Sequence, residues 1–128
     1  MARQRTSPDD RPEGGALNAA ISEAVVQLMA QRTGRGPTKA RTTIDRDLIV
    51  VVLQNSLTSG EQFLADSDRA EQVLDTRRAY QAAMRSDCIA AIEALTDRTV
   101  TAFMSANHIE PDLAAEVFVL EPQGAPPV

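Results

Sequence analysis

Apolar residues in this chain switch from helical spacing to strand-like runs and back, twice over. Leu17, Ile21, Ala24, Val25 and Leu28 recur at i, i+4, i+7, i+8 and i+11, which predicts a helix from about Leu17 to Arg32 with Asn18, Ser22, Glu23 and Gln27 off its apolar face. Gly34 stands where a left-handed glycine closes a helix, and Arg32 falls in the last turn against the negative end of the dipole. Gly36-Pro37 prevents the helix from resuming, so Thr42-Thr43-Ile44 is predicted as a strand reaching a polar turn at Asp45-Arg46-Asp47. Leu48 to Leu53 is apolar at successive positions, the pattern of a central strand covered on both faces. Helices would supply one cover and a partner subunit the other, which makes a homodimer an expectation.

Thr58-Ser59-Gly60-Glu61 has the form of a capped helix start, and Asp66-Ser67-Asp68 should break that helix early. From Asp68, itself a good cap, a long helix is predicted to about Leu95, with Val73, Tyr80, Met84, Cys88, Ala91 and Leu95 along one stripe. Thr99 to Met104 and Ala114 to Leu120 read as the last two strands, Glu116 being the polar interruption of the second. The expected fold is therefore α+β: a two-layer sandwich of order α-β-β-α(α)-β-β, with helices on one face of a mainly antiparallel four-stranded sheet. Residues 16–121 form the single domain, 1–15 a disordered arm and 122–128 a disordered proline-rich tail.

A repeat runs beneath this order. Ile44-Asp45-Arg46-Asp47-Leu48 and Ile109-Glu110-Pro111-Asp112-Leu113 share the pattern Ile, acid, any residue, Asp, Leu, and each leads into a strand. Thr33-Gly34-Arg35 and Thr96-Asp97-Arg98 each close a helix. Two degenerate copies of a helix-strand-strand unit, or coincidence at this match length, both account for the pattern.

Composition narrows the function. The chain has 128 residues, 43% of them apolar, enough to bury a core without a metal or disulfide staple. The one cysteine, Cys88, closes no intrachain disulfide and sits on the apolar stripe as a small core residue, which suits a reducing, cytoplasmic setting. No apolar run approaches the roughly 20 residues of a membrane-spanning helix, so direct membrane insertion is not expected. The net charge of −5, with one lysine and no tryptophan, lacks the basic surface and stacking platforms of nucleic-acid binding. That charge is uneven, because the stretch Arg32 to Arg41 carries four cations and no acid, leaving −9 elsewhere.

The cationic stretch is the sharpest candidate site. Gly34, Arg35, Gly36, Thr38, Lys39 and Arg41 combine flexible amides, a hydroxyl and positive charge, and a nest of N–H groups there would hold a small anion such as bicarbonate or phosphate. It is not a P-loop, since it follows a helix and opens a strand. The alternative is a helix cap and turn whose cations pair with the acidic surface. A second polar set is Arg77, Asn107 and His108. Arg77 lies beside the apolar stripe with no partner at good helical spacing, so its carboxylate must come from another element. His108, the lone histidine, excludes a His-His metal pair and lies in a polar link between strands, either solvated or, in a weaker reading, the base of a small hydrolase. No catalytic residues, metal or cofactor are assigned.

Several of these pieces together resemble the MpsC domain family of small bacterial proteins, over residues of about 17 to 121. The resemblance rests on Gly34-Arg35-Gly36-Pro37 after the first helix, the acidic turn Asp45-Arg46-Asp47 before an Ile-Val-rich strand, and Leu57-Thr58 followed by Glu61. Arg77-Arg78 on the long helix and the closing Val117-Phe118-Val119-Leu120 complete it. Thr38 departs from a more basic Gly-Pro-Lys/Arg run in similar chains. The family is named for a sodium-translocating, membrane-potential-generating system, and the resemblance implies a soluble accessory or regulatory protein of an ion or inorganic-carbon transport system, with a membrane transport protein as partner. It brings no catalytic residues.

Overall fold

The computed structural model describes residues 12–123. In order they form α1 (Gly14–Thr33), β1 (Lys39–Asp45), β2 (Leu48–Gln54), α2 (Ser59–Asp66), α3 (Ala70–Thr96), β3 (Val100–His108) and β4 (Leu113–Leu120). The sheet runs β1-β2-β4-β3 with every pairing antiparallel. Helices α1 and α3 lie together on one face, α1 over β1 and α3 over β3, while α2 rests on α3. The fold is α+β, as the periodicity predicts.

The core follows the two periodicities. Ile21, Val25 and Met29 from α1 and Met84, Cys88 and Ile92 from α3 meet Ile49, Val51 and Leu53 of β2 and Phe118 and Leu120 of β4. Phe103 packs its ring 4.9 Å from that of Phe118. Alternation along β2 sends Leu48, Val50, Val52 and Gln54 to the other face, where no element covers them. The expected second cover of β2 is thus not supplied by the described residues.

The helix-strand-strand unit recurs with its details. Thr33 and Thr96 each donate a hydroxyl hydrogen bond to the carbonyl four residues back, at Met29 and Ile92, both 2.7 Å. Each hydroxyl also accepts from the amide two residues on, Arg35 and Arg98. The next residue is left-handed in both, Gly34 at φ 83° and Asp97 at φ 57°, and its amide closes the helix on Ala30 or Glu93. Laying Thr33 on Thr96 brings Ile21, Val25 and Met29 onto Met84, Cys88 and Ile92. Both halves then continue into a β-hairpin, and β2 and β4 meet at the centre of the sheet.

Four boundaries differ from expectation. Helix α1 starts at Gly14, inside the expected 1–15 arm; residues 1–11 and 124–128 lie outside the described ones. Strand β1 begins at Lys39, because Lys39, Ala40 and Arg41 pair with Gln54, Leu53 and Val52 and alternate outward and inward like the rest of the strand. Asp68 does not cap α3. It takes a left-handed turn (φ 67°) that brings the Arg69 amide back to Leu64, and Arg69 is the cap. Strand β3 runs on through Asn107 and His108, since Ser105 and Asn107 find polar partners beneath α3 where an unpaired polar residue would end a strand. The start of α2 matches its sequence: Thr58 accepts from the Glu61 amide and Glu61 accepts from the Thr58 amide.

Candidate functional site

The cations of the Arg32–Arg41 stretch point three ways. Arg32 pairs with Asp87 of α3 at 2.8 Å. Arg35 donates to the Asn55 carbonyl at 3.1 Å, tying the loop to the end of β2. Lys39 and Arg41 project from the outer face of β1 beside Val52 and Gln54. The amides of the proposed nest are also engaged: Gly34 donates to Ala30, Arg35 to the Thr33 hydroxyl and Thr38 to the Gln54 carbonyl. Gly36 lies close over α1, where a Cβ would come within 3.4 Å of Ala30 and Val26 side chains. This segment is a packed clasp, with Lys39 and Arg41 as its charges on the outer face of β1.

A different polar cluster is buried beneath α3. Arg77, 3% exposed, donates to the Ser56 hydroxyl at 2.6 Å, the Ser56 carbonyl at 3.2 Å and the Glu61 carboxylate at 3.3 Å. Its carboxylate partner does come from another element, α2. Ser56 is positioned in turn by Asp112, whose carboxylate accepts the amides of Ser56 and Leu57 at 3.2 and 3.0 Å. Arg77 Nε reaches Asn107 Oδ1 at 3.5 Å, and Asn107 and Gln81 exchange amide hydrogen bonds at 2.9 and 3.0 Å. Gln81 also donates to Glu116 Oε2 at 3.4 Å, and Ser105 donates to Glu116 Oε1. The structure thus joins Arg77 to Asn107. His108, the next residue along β3, falls on the opposite face of the sheet, exposed, with Nδ1 2.8 Å from the Pro111 carbonyl.

Glu116 is the unusual member, an acid at 2% exposure. Burial raises its carboxyl to about pH 7, while the hydrogen bonds from Ser105 and Gln81 and the charge of Arg77 pull the other way. It faces Val51 across β2–β4, so one half of the repeat has a carboxyl where the other has a methyl-bearing core residue. The nearby Cys88 thiol is pushed up to about 12 by burial first and then by Glu116 and Asp87, which keeps it an inert core group.

The cluster borders a cleft open to solvent. Arg78, Gln81, Ala82, Arg85, Phe103 and Ser105 line a space of about 260 Å³ between α3 and β3. Gln81 and Ser105, the two residues that hold Glu116, form part of its wall. Arg85 donates to the Phe103 carbonyl at 3.2 Å with its guanidinium 5.6 Å above the Phe103 ring, and Arg78 pairs with Asp75 at the surface.

The family model described as "Na+-translocating membrane potential-generating system (MpsC)" matches residues 13–122, nearly all of the described chain. The chain belongs to the MpsC family. Comparison with curated proteins and with solved structures returns no match. Every residue of the buried cluster and of its cleft falls inside the matched MpsC span. No helix of the described residues is long and apolar enough to cross a membrane.

Sequence reasoning singles out Arg77 and Asn107 in this MpsC chain and passes over Arg78, Ser105, Gln81, Arg85 and Glu116 as site residues. A usable signal existed for Glu116, because an acid among Ala114, Phe118 and Leu120 shares their inward parity on β4. Gln81 had a subtler one: it occupies the α3 position equivalent to Asn18, which donates to the Thr42 carbonyl of β1 at 3.1 Å.

Proposed function

We propose that this MpsC-family chain is an accessory or regulatory protein of an ion or inorganic-carbon transport system, and that it works by binding a small oxyanion and a proton together. The family description supplies the transport context. The α3–β3 cleft carries the reading. Two guanidinium groups, Arg78 and Arg85, line it, donors suited to the oxygens of bicarbonate or phosphate, beside Gln81 and Ser105, whose own hydrogens go to Asn107 and Glu116. Glu116 lies directly behind Gln81 and Ser105. An anion in the cleft would favour the protonated form of that carboxyl, so the two ligands would reinforce each other. In this reading the route across the bilayer belongs to a partner protein. Isothermal titration with bicarbonate and with phosphate should show binding with proton uptake near neutral pH, lost in Arg78→Ala/Arg85→Ala. No binding, or binding indifferent to both substitutions, rejects the ligand. Affinity purification of the tagged chain from solubilised membranes that recovers no transport protein rejects the accessory role.

A second reading places the anion at the Gly34–Arg41 segment. It is favoured by Lys39 and Arg41, which share one face of β1 and have no carboxylate partner among the described residues. The same titrations with Lys39→Ala and Arg41→Ala separate the two sites.

A further inference from the structure

No described residue covers the outer face of the sheet, and its side chains are laid out so that the pattern matches itself after a half-turn; we infer that a second copy of this chain covers it. The strand register arranges this face in rows across the sheet. One central row is Val52, Ala115 and Ala106, small at β4 and β3. The row beside it is Val50, Val117 and Met104, bulkier at both, with Met104 52% exposed. A hollow of about 400 Å³ lies over the small row, lined by Val52, Ala115 and Ala106 among others. The edge strand β1 flanks this apolar area with charge, Lys39 and Arg41 toward one end and Asp45 at the other. These three side chains have no hydrogen-bond or ion-pair partner among the described residues.

A two-fold axis lying in the plane between two such sheets, perpendicular to the strands, places each strand over its own copy in the reverse direction. With the axis between the two central rows, the small row of each copy receives the bulky row of the other. Met104 then enters the hollow at Ala106 of its mate, and Val117 opposes Ala115. The same operation sets Lys39 against the second copy's Asp45, pairing charges that are unpaired in one chain. One rotation satisfies volume and charge together, and the resulting sandwich has the aligned sheet packing common to such layers.

Two alternative occupants fit less well. The described chain begins and ends at Pro12 and Gln123, which line a cleft on the helix side with Leu17, Leu95 and Leu120, away from the outer face. Apart from His108 at one end of β3, the face also carries no acidic or basic side chain on β2, β4 or the paired part of β3 that would direct a strongly charged partner. Four strands about 4.8 Å apart and four rows about 6.8 Å apart give a footprint on the order of 400–500 Å² per copy. That is small for a stable complex, so the dimer is expected to form reversibly with concentration.

Sedimentation velocity of the full chain across the micromolar range tests this. Expected are a monomer-dimer equilibrium, its abolition by Met104→Lys with an unchanged circular dichroism spectrum, and a several-fold weakening by Lys39→Glu. Lys39→Glu combined with Asp45→Lys should restore the wild-type dissociation constant to within about twofold, because the pair is only reversed. A monomer at all concentrations, a dimer indifferent to Met104→Lys, or a double reversal no better than Lys39→Glu overturns the proposal. So does a monomer whose outer-face amides are protected from exchange until residues 1–11 are deleted, which would make the arm the occupant.

Discussion

Ser105 and Glu116 stand directly opposite one another on β3 and β4, and the hydroxyl of the first donates to the carboxyl of the second, which is almost wholly buried. One hydrogen bond from a neutral hydroxyl and a longer one from Gln81 compensate a buried carboxylate only in part. Its proton is therefore held by the fold, and a pH dependence follows.

Folded Glu116 keeps its proton up to about pH 7, against 4.5 as its ordinary value. Between those values the folded state binds more protons than the unfolded one, so this group's contribution is fully favourable below about 4.5 and is lost as pH rises through about 7. The loss amounts to ~3 kcal/mol at most. Glu116→Gln should leave urea stability nearly unchanged at acid pH and raise it by ~1–3 kcal/mol above pH 8. Parallel stability profiles for the two proteins would contradict this.

Arg77 is buried with its charge matched by Glu61 at 3.3 Å and its other donors spent on Ser56. Truncating it to Ala leaves the carboxylate and the Ser56 oxygens short of donors and should cost ~3–5 kcal/mol. Arg77→Met/Glu61→Gln should cost less than the two single changes added together, because the second removes the charge orphaned by the first. Denaturant unfolding of the four proteins gives the coupling. Additive losses would mean that the ion pair is not the connection.

The two helix ends test the repeat. Gly34→Ala forces a Cβ into a left-handed position and should destabilise by ~1–2 kcal/mol. Asp97→Gly at the equivalent position relieves the backbone at φ 57° but also gives up what the Asp97 side chain contributes, so it should cost less than Gly34→Ala. Thermal melting of both variants reads the difference.

Cys88 is 3% exposed and its thiol is held well above the usual range. A neutral maleimide at pH 8 should label it only through opening of the core, with a rate that rises with urea and follows the unfolding curve. Rapid labelling of the native protein would show that α3 lifts from the sheet independently.

The elements were legible because their spacing is regular: Ile21, Val25 and Met29 mark a helix and the run Leu48–Leu53 a strand wherever they occur. The misread places are those where a tertiary partner changes the meaning of a residue. Asn107 looks like loop until Gln81 is found opposite it. Lys39 and Arg41 look like loop residues until their backbone pairs with Gln54 and Val52. The buried cluster draws on α2, α3, β3 and β4 and on the connections at Ser56 and Asp112, and no linear spacing links Arg77 to Ser56 or Gln81 to Glu116.

The strand order has a consequence for how the molecule assembles. Each hairpin and its preceding helix are close in sequence and need only short loops to close, so each half is built from local contacts. The halves join along one seam, β2 against β4, with α1 against α3 above it. Val51 and Glu116 sit opposite each other in the middle of that seam. Docking the halves at neutral pH therefore draws a proton from solution, and an acid pulse should speed the docking step while leaving the local halves unaffected.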